Sequence, residues 1–276
     1  MIVHRTPDSQ SYARFTTAEL RQGFLLESLF TPGQVDLVYT DLDRAIVGSA
    51  VPTTGALTLE AGAELKAEFF CQRRELGVFN VGGAGRVTVD GAAHRLEKLD
   101  TLYVSRGSRA ISFESDAPQN PALFYLVSYP AHAAHPTRLG SSGEATVREL
   151  GARETANERK LSQVIHENGI PSCQLVMGFT EMKPGGVWNT MPPHTHGRRT
   201  EVYLYFDLPD NQRVLHLVGS PQETRPLWIG NLQVALSPAW SVHSGCGTAG
   251  YRFCWAMGGE NQAFDDMDPA PVASLR

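Results

Sequence analysis

The chain of 276 residues is long enough for one large domain or two modest ones, and 42% hydrophobic against 19% charged residues excludes disorder as the default. Its 24 Lys and Arg against 29 Asp and Glu give a net charge of −5, which excludes a broad phosphate-backbone binder. No apolar run approaches the roughly 18 residues that span a bilayer, and the start MIVHRTPDSQ lacks the apolar stretch of a signal peptide. The expectation is therefore a cytoplasmic protein with no nucleic-acid and no membrane partner.

In chain order, Thr16-Thr-Ala-Glu19 has the form of a capping box, with Leu20, Phe24 and Leu25 at helical spacing behind it. A short helix is expected there despite Gly23. Short β-rich runs follow at 35–39, 77–81, 86–89, 101–104, 110–113 and 122–127, parted by glycine-rich breaks such as 82–85. A looser polar stretch, 130–160, reads as a connection. The strand pattern resumes at 172–180, 201–206, 213–218, 227–236 and 251–256. Such a succession, rich in Gly (26) and Pro (17), predicts a mainly all-β chain of two barrels or jelly rolls with a few short helices. The boundary falls near residue 140, giving 1–140 and 141–276. Arg73-Arg-Glu-Leu76 and Arg198-Arg-Thr-Glu-Val202 open the two strand series, as an internal repeat would. Cys71, Cys173, Cys246 and Cys254 form no CxxC pair and no disulfide scaffold.

The most informative string is Trp188-Asn-Thr-Met-Pro-Pro-His194-Thr-His196-Gly-Arg-Arg-Thr-Glu201. On a strand, His194 and His196 project from one face and can reach one divalent cation. Glu201 stands at an odd offset, and Gly197 permits the bend that would bring its carboxylate back. Pro238 is followed five residues later by His243. Three imidazoles and a carboxylate suit zinc, iron, manganese, nickel or copper, so ligand type does not choose among them.

His-x-His-x4-Glu followed by Pro-x4-His resembles the metal site of the cupin superfamily, although Trp240 and Leu208 stand where that pattern often has glycine. The first half lacks this chemistry. Aligning Glu75 with Glu201 puts Glu68 and Phe70 in place of the histidines, so one metal per chain is expected, in the second barrel.

Further strings are similar to the 5-keto-4-deoxyuronate isomerase (4-deoxy-L-threo-5-hexosulose-uronate ketol-isomerase) family. They are Asp41-Leu-Asp-Arg-Ala-Ile-Val-Gly, Arg73-Arg-Glu-Leu-Gly-Val-Phe-Asn-Val-Gly-Gly-Ala-Gly, Gly219-Ser-Pro-Gln-Glu-Thr-Arg, His243-Ser-Gly and Glu260-Asn-Gln-Ala-Phe-Asp-Asp-Met-Asp. The resemblance implies a zinc-containing bicupin with His194, His196, Glu201 and His243 as ligands, and a homo-oligomer, a hexamer. It also implies isomerisation of 5-dehydro-4-deoxy-D-glucuronate to 3-deoxy-D-glycero-2,5-hexodiulosonate in pectin and polyuronide breakdown.

Such a reaction takes a proton from C2 and returns it to C1 through an enediolate, which a divalent cation can stabilise. The sequence names no catalytic base. His216 either points into the barrel or is a satisfied core histidine. The substrate carboxylate calls for an arginine. Arg199, facing the same way as Glu201, and Arg225 are the candidates, each against the alternative of a solvated surface cation. The tail 265–268 either caps the pocket or forms a solvated loop. The competing readings are an isomerase of 5-deoxy-glucuronate, a cupin dioxygenase with a redox-active metal, and a non-catalytic sugar-binding cupin.

Overall fold

The computed structural model describes residues 1–260 and 263–276. Asn261 and Gln262, inside the quoted Glu260 string, lie outside the described residues. The strands form two seven-stranded sheets, two four-stranded sheets and one two-stranded pair, the mainly β architecture that the density of turns predicted.

The first seven-stranded sheet runs in the order Ile2–His4, Val35–Thr40, Ile46–Ala50, Phe124–Pro130, Arg74–Asn80, Thr101–Val104, Arg138–Gly140. Its four-stranded partner runs Leu57–Thr58, Ile111–Ser115, Gly85–Val89, Ala92–Leu96. Alternate apolar residues of the two meet in one core. Leu76, Val78, Leu102, Val104 and Leu126 come from the larger sheet, and Val87, Val89, Leu96, Ile111 and Phe113 from the smaller.

The second pair repeats the arrangement. Its seven-stranded sheet runs Thr146–Leu150, Arg159–Ile165, Val176–Met182, Arg252–Gly259, Arg199–Phe206, Gln233–Ser237, Leu25–Leu26. Its four-stranded sheet runs Trp188–Asn189, Ser244–Gly247, Val214–Val218, Arg225–Ile229. The run expected over 227–236 is two strands, because Leu232 takes the left-handed conformation (φ 60°) and turns the chain.

The stretch 130–160, expected as a loose connection, contains the strand Thr146–Leu150 and the start of Arg159–Ile165. Four of the five residues of Thr146–Leu150 are exposed, so no apolar alternation announced a strand. The helix Thr17–Phe24 carries the capping box in full, Thr16 Oγ1 accepting from Glu19 N and the Glu19 carboxylate from Thr16 N. It buries Leu20 and Phe24, and Leu25 already belongs to the next strand.

Two compact units are present, but no single cut at residue 140 separates them. One comprises Met1–His4, Ser28–Thr146 and Val164–Met177; the other comprises Arg5–Glu27, Val147–Gln163 and Gly178–Arg276. Aromatic packing explains the first displaced segment. Tyr12 lies 4.9 Å from Trp240, centroid to centroid, and Phe24 meets the same indole edge-on at 6.2 Å. Trp240, one of the two departures from the general cupin pattern, is thus the anchor for Arg5–Glu27. A buried carboxylate explains the second. Glu75 accepts from the backbone N–H groups of Cys173, Gln174 and Leu175 at 2.7, 2.7 and 2.9 Å, and from the Tyr103 hydroxyl.

Glu75 is therefore no counterpart of Glu201. Leu76 and Val78 enter the core of the first unit, so alternation turns Glu75 out of it. Glu201 and Tyr203 point inward in the second unit, where both line a cavity. Aligning glutamate with glutamate matched the strands and missed the pleat by one residue; aligning Arg73-Arg74 with Arg198-Arg199 sets Leu76 against Glu201, both inward.

Candidate metal centre

Four elements deliver the cluster. His194 opens the short strand His194–Thr195, which pairs with Asp268–Pro269. His196 follows, its N–H held by the Ala239 carbonyl at 3.2 Å. The chain then turns at Gly197 and Arg198 into Arg199–Phe206, which changes the facing of the backbone and aims Glu201 at the histidines. His243 ends a turn in which Ser241 N–H donates to the Pro238 carbonyl at 2.8 Å and Ser241 Oγ accepts from Gly219 N–H.

One candidate ligand atom from each of the four lies within 4.8 Å of all the others. His194 Nε2 is 3.2 Å from His196 Nε2 and 3.1 Å from His243 Nε2. Glu201 Oε2 is 3.1 Å from both His196 Nε2 and His243 Nε2. Ligands bonded at roughly 2.0–2.1 Å to one cation sit about 3.0–3.4 Å apart in tetrahedral or cis-octahedral arrangements. The observed separations fall within that span.

Hydrogen bonding makes a stronger test. His196 Nδ1 donates to the Asp266 carbonyl at 2.7 Å, since that oxygen can only accept. In the neutral ring Nε2 then carries a lone pair, and it faces a carboxylate oxygen and another imidazole nitrogen. Lone pairs converging in a buried place require a cation between them. The residues present fit a divalent metal, and the Asp266 carbonyl is the outer partner that fixes the His196 tautomer.

Electrostatics keeps the ligands in their binding forms. Burial, then the neighbouring His243 and His196, pushes the His194 imidazole down to about 2, so it stays neutral. Burial alone would raise Glu201, but the neighbouring His243 and His196 outweigh it and hold the carboxylate well below its usual range.

The cluster opens on a cavity of about 270 Å³. Its wall is the inner face of the second seven-stranded sheet, read strand by strand at alternate positions. Arg148 and Leu150, Arg159 and Leu161, Thr180, then Phe253, Trp255 and Met257, then Glu201 and Tyr203 line it. Phe264, Asp265 and Met267 close another side. The acidic tail is thus part of the site. Asp266 holds His196, and Asp268 Oδ2 accepts from Gly197 N–H at 3.1 Å.

The three speculative substrate residues lie elsewhere. Arg199 is buried with its guanidinium on the carbonyls of Ala263, Phe264 and Asp266 at 2.5, 3.1 and 3.3 Å, and it does not line the cavity. Arg225 donates to the carbonyls of Tyr12, Ala13 and Phe15, fastening the N-terminal segment. His216 is fully buried with Nδ1 2.7 Å from the Tyr205 hydroxyl, and burial, then His243, pushes it down to about 3. It is a core histidine. Two cations on the cavity wall, Arg148 and Arg159, escaped the sequence reading; the signal was an Arg-x-Leu alternation in each of their strands.

The model of the KduI/IolB family matches residues 24–272. This chain belongs to the KduI/IolB family. It is similar to the 4-deoxy-L-threo-5-hexosulose-uronate ketol-isomerase of Kineococcus radiotolerans, 56% identical over 94% of both chains. The ketol-isomerases of the same name from Formosa agariphila (51%, 97% of this chain and 95% of that one) and Opitutus terrae (47%, all of both) are further relatives. This family member is accordingly an enzyme, an intramolecular oxidoreductase of the ketol-isomerase kind. Among solved structures, an IolB-like protein from Salmonella typhimurium LT2 shares the fold, with a TM-score of 0.69 at 15% identity over 87% of this chain and 94% of that one. So does Bacillus subtilis oxalate decarboxylase, a protein with Mn(II) centres, with a TM-score of 0.56 at 12% identity over 79% and 70%. Both likenesses speak for a cupin-type fold alone. Among the described residues, no helix is long and apolar enough to cross a membrane.

Proposed function

We propose that this chain is a metal-dependent aldose–ketose isomerase converting 5-dehydro-4-deoxy-D-glucuronate (4-deoxy-L-threo-5-hexosulose-uronate) to 3-deoxy-D-glycero-2,5-hexodiulosonate, with one zinc ion per chain held by His194, His196, Glu201 and His243. The observation that carries this reading is the convergence of those four side chains, lone pairs inward, at the wall of a cavity sized for a small acid. Relatives 47–56% identical over nearly their whole length bear the name of this reaction. The same reading gives the enzyme a place in pectin and polyuronide degradation, a cytoplasmic location and a homo-oligomeric state, a hexamer by family resemblance.

The reaction moves hydrogen within one molecule. A proton leaves C2, the C2 hydroxyl becomes a carbonyl, and C1 gains the hydrogen as its aldehyde becomes an alcohol. His194, His196, Glu201 and His243 would hold a divalent cation, which would supply Lewis acidity to the reacting hydroxy-aldehyde. Besides the ligands, the wall carries two groups able to hold a proton near the reacting carbons. They are the Asp265 carboxylate and the Tyr203 hydroxyl, the latter 2.9 Å from Thr190 Oγ1. Phe253, Trp255, Met257 and Phe264 exclude water from the rest of the wall, which strengthens each polar contact inside.

The test is metal analysis by mass spectrometry joined to keto-uronate isomerisation before and after chelation, with 5-deoxy-glucuronate as a parallel substrate. Turnover falls to background with the metal removed and returns on adding zinc without oxygen. Undiminished turnover in metal-free protein, or a preference for 5-deoxy-glucuronate, overturns the reading.

A further inference from the structure

Resting on the keto-uronate reading, we propose that Arg159 is the residue that binds the substrate carboxylate, holding C6 against the cavity wall while C1 and C2 meet the His/Glu cluster. Four observations lead there. First, Arg159 lines the cavity and is half-buried, in a strand whose inward positions are Arg159 and Leu161. Second, among the described residues its one hydrogen bond is from Nη1 to the Asn157 carbonyl at 2.7 Å, and no carboxylate holds it. A guanidinium carries five N–H donors, so most of the hydrogen-bonding capacity of this cavity-lining side chain is left for a ligand.

Third, the other arginines are engaged. Arg148 is exposed, bonded to Asp265 at 3.1 Å and set over the Phe264 ring, while Arg199 and Arg225 serve backbone carbonyls. Fourth, the sheet sets the distance. Arg159–Ile165 is three strands from Arg199–Phe206, which carries Glu201. Three spacings make about 14 Å between backbones, and the Arg159 side chain reaches inward from one side. What is left suits a six-carbon acid extended with its carboxylate at one end and its reacting carbons at the other. Burial of a cation that lacks a counterion is costly, and the guanidinium is correspondingly pulled below its usual range, chiefly by burial. A substrate carboxylate, bound by the planar fork, removes that cost.

The experiment compares the wild-type protein with Arg159→Gln and Arg159→Lys on two substrates, the keto-uronate and its C6 methyl ester. Arg159→Gln is expected to raise KM for the acid about 100-fold with kcat changed less than about threefold, and to leave KM for the ester within about threefold. Arg159→Lys, keeping the charge without the fork, falls between. A merely structural arginine would harm both substrates alike, and that outcome overturns the proposal, as does an unchanged KM for the acid in Arg159→Gln. Should Arg159→Gln not fold, the wild-type preference for acid over ester and the Arg159→Lys kinetics decide: no preference, or a lysine variant equal to wild type, also overturns it. Failure of the underlying reading looks different, because the wild-type protein would then not isomerise the keto-uronate at all.

Discussion

At the scale of single residues, surroundings decide what His194 and His216 do. His194 and His216 are both driven to the neutral form by burial, but only His194 has its free nitrogen among other ligands. His216 has Nδ1 beside Tyr205 and, among the described residues, no hydrogen-bond partner for Nε2. A histidine whose folded pKa is depressed adds stability that is whole above its unfolded value near 6.5 and is lost as the pH falls toward the folded value. For His216, depressed to about 3 chiefly by burial, the loss at pH 4.5 is on the order of 2–3 kcal/mol. His216→Gln is therefore less stable than wild type at pH 7.5, and the gap narrows by about 2 kcal/mol at pH 4.5. Denaturant titrations of the chelated proteins at both pH values measure this, and a gap independent of pH would show that His216 titrates normally. The residue scale is also where sequence served best. His194, His196, Glu201 and His243 were legible because a ligand set needs particular side chains at particular spacings.

Elements place those side chains, and here the sequence was partly opaque. Arg199 shares a strand with Glu201, and simple alternation suggested a cavity-facing cation. The structure has its guanidinium on three carbonyls of the 263–266 segment instead. That segment presents the Asp266 carbonyl to His196, so Arg199 reaches the candidate metal site through its backbone partners. Replacing Arg199 by Ala is expected to lower zinc affinity about 10–100-fold. Competition with a chelator of known affinity reads this directly, and an unchanged affinity would mean that the segment keeps its place without the arginine. Arg148 and Arg159 were missed for a related reason. Their strands carry charge on both faces, in Arg148-Glu-Leu150 and Arg159-Lys-Leu161, and charge-rich runs read as connectors unless the sheet beneath them is known.

For the molecule as a whole, two units of the same build carry unequal chemistry, and their chain segments are exchanged. Arg5–Glu27 belongs with the unit that carries the His/Glu cluster through Tyr12, Phe24, the Arg225 hydrogen bonds and the pairing of Leu25–Leu26 with Gln233–Ser237. A chain cut to 141–276 lacks these, and it is expected to melt without a cooperative transition and to bind no zinc. Circular dichroism during heating and metal analysis check this; a sharp, metal-dependent transition would show that the segment is dispensable. Two-unit organisation was readable from the recurrence of strands. The exchange was not, because it depends on one tryptophan and one buried glutamate meeting residues far off in sequence.

The sequence by itself determined the all-β class, the two-unit repeat, the family and the four candidate ligands, since periodicity, turn chemistry and ligand spacing are local properties. Only the tertiary structure decided which face Glu75 takes, which arginines reach the cavity, and that the acidic tail belongs to the site. Those outcomes rest on pleat register and on contacts between distant segments, where a shift of one residue reverses the side of the sheet on which a side chain lies.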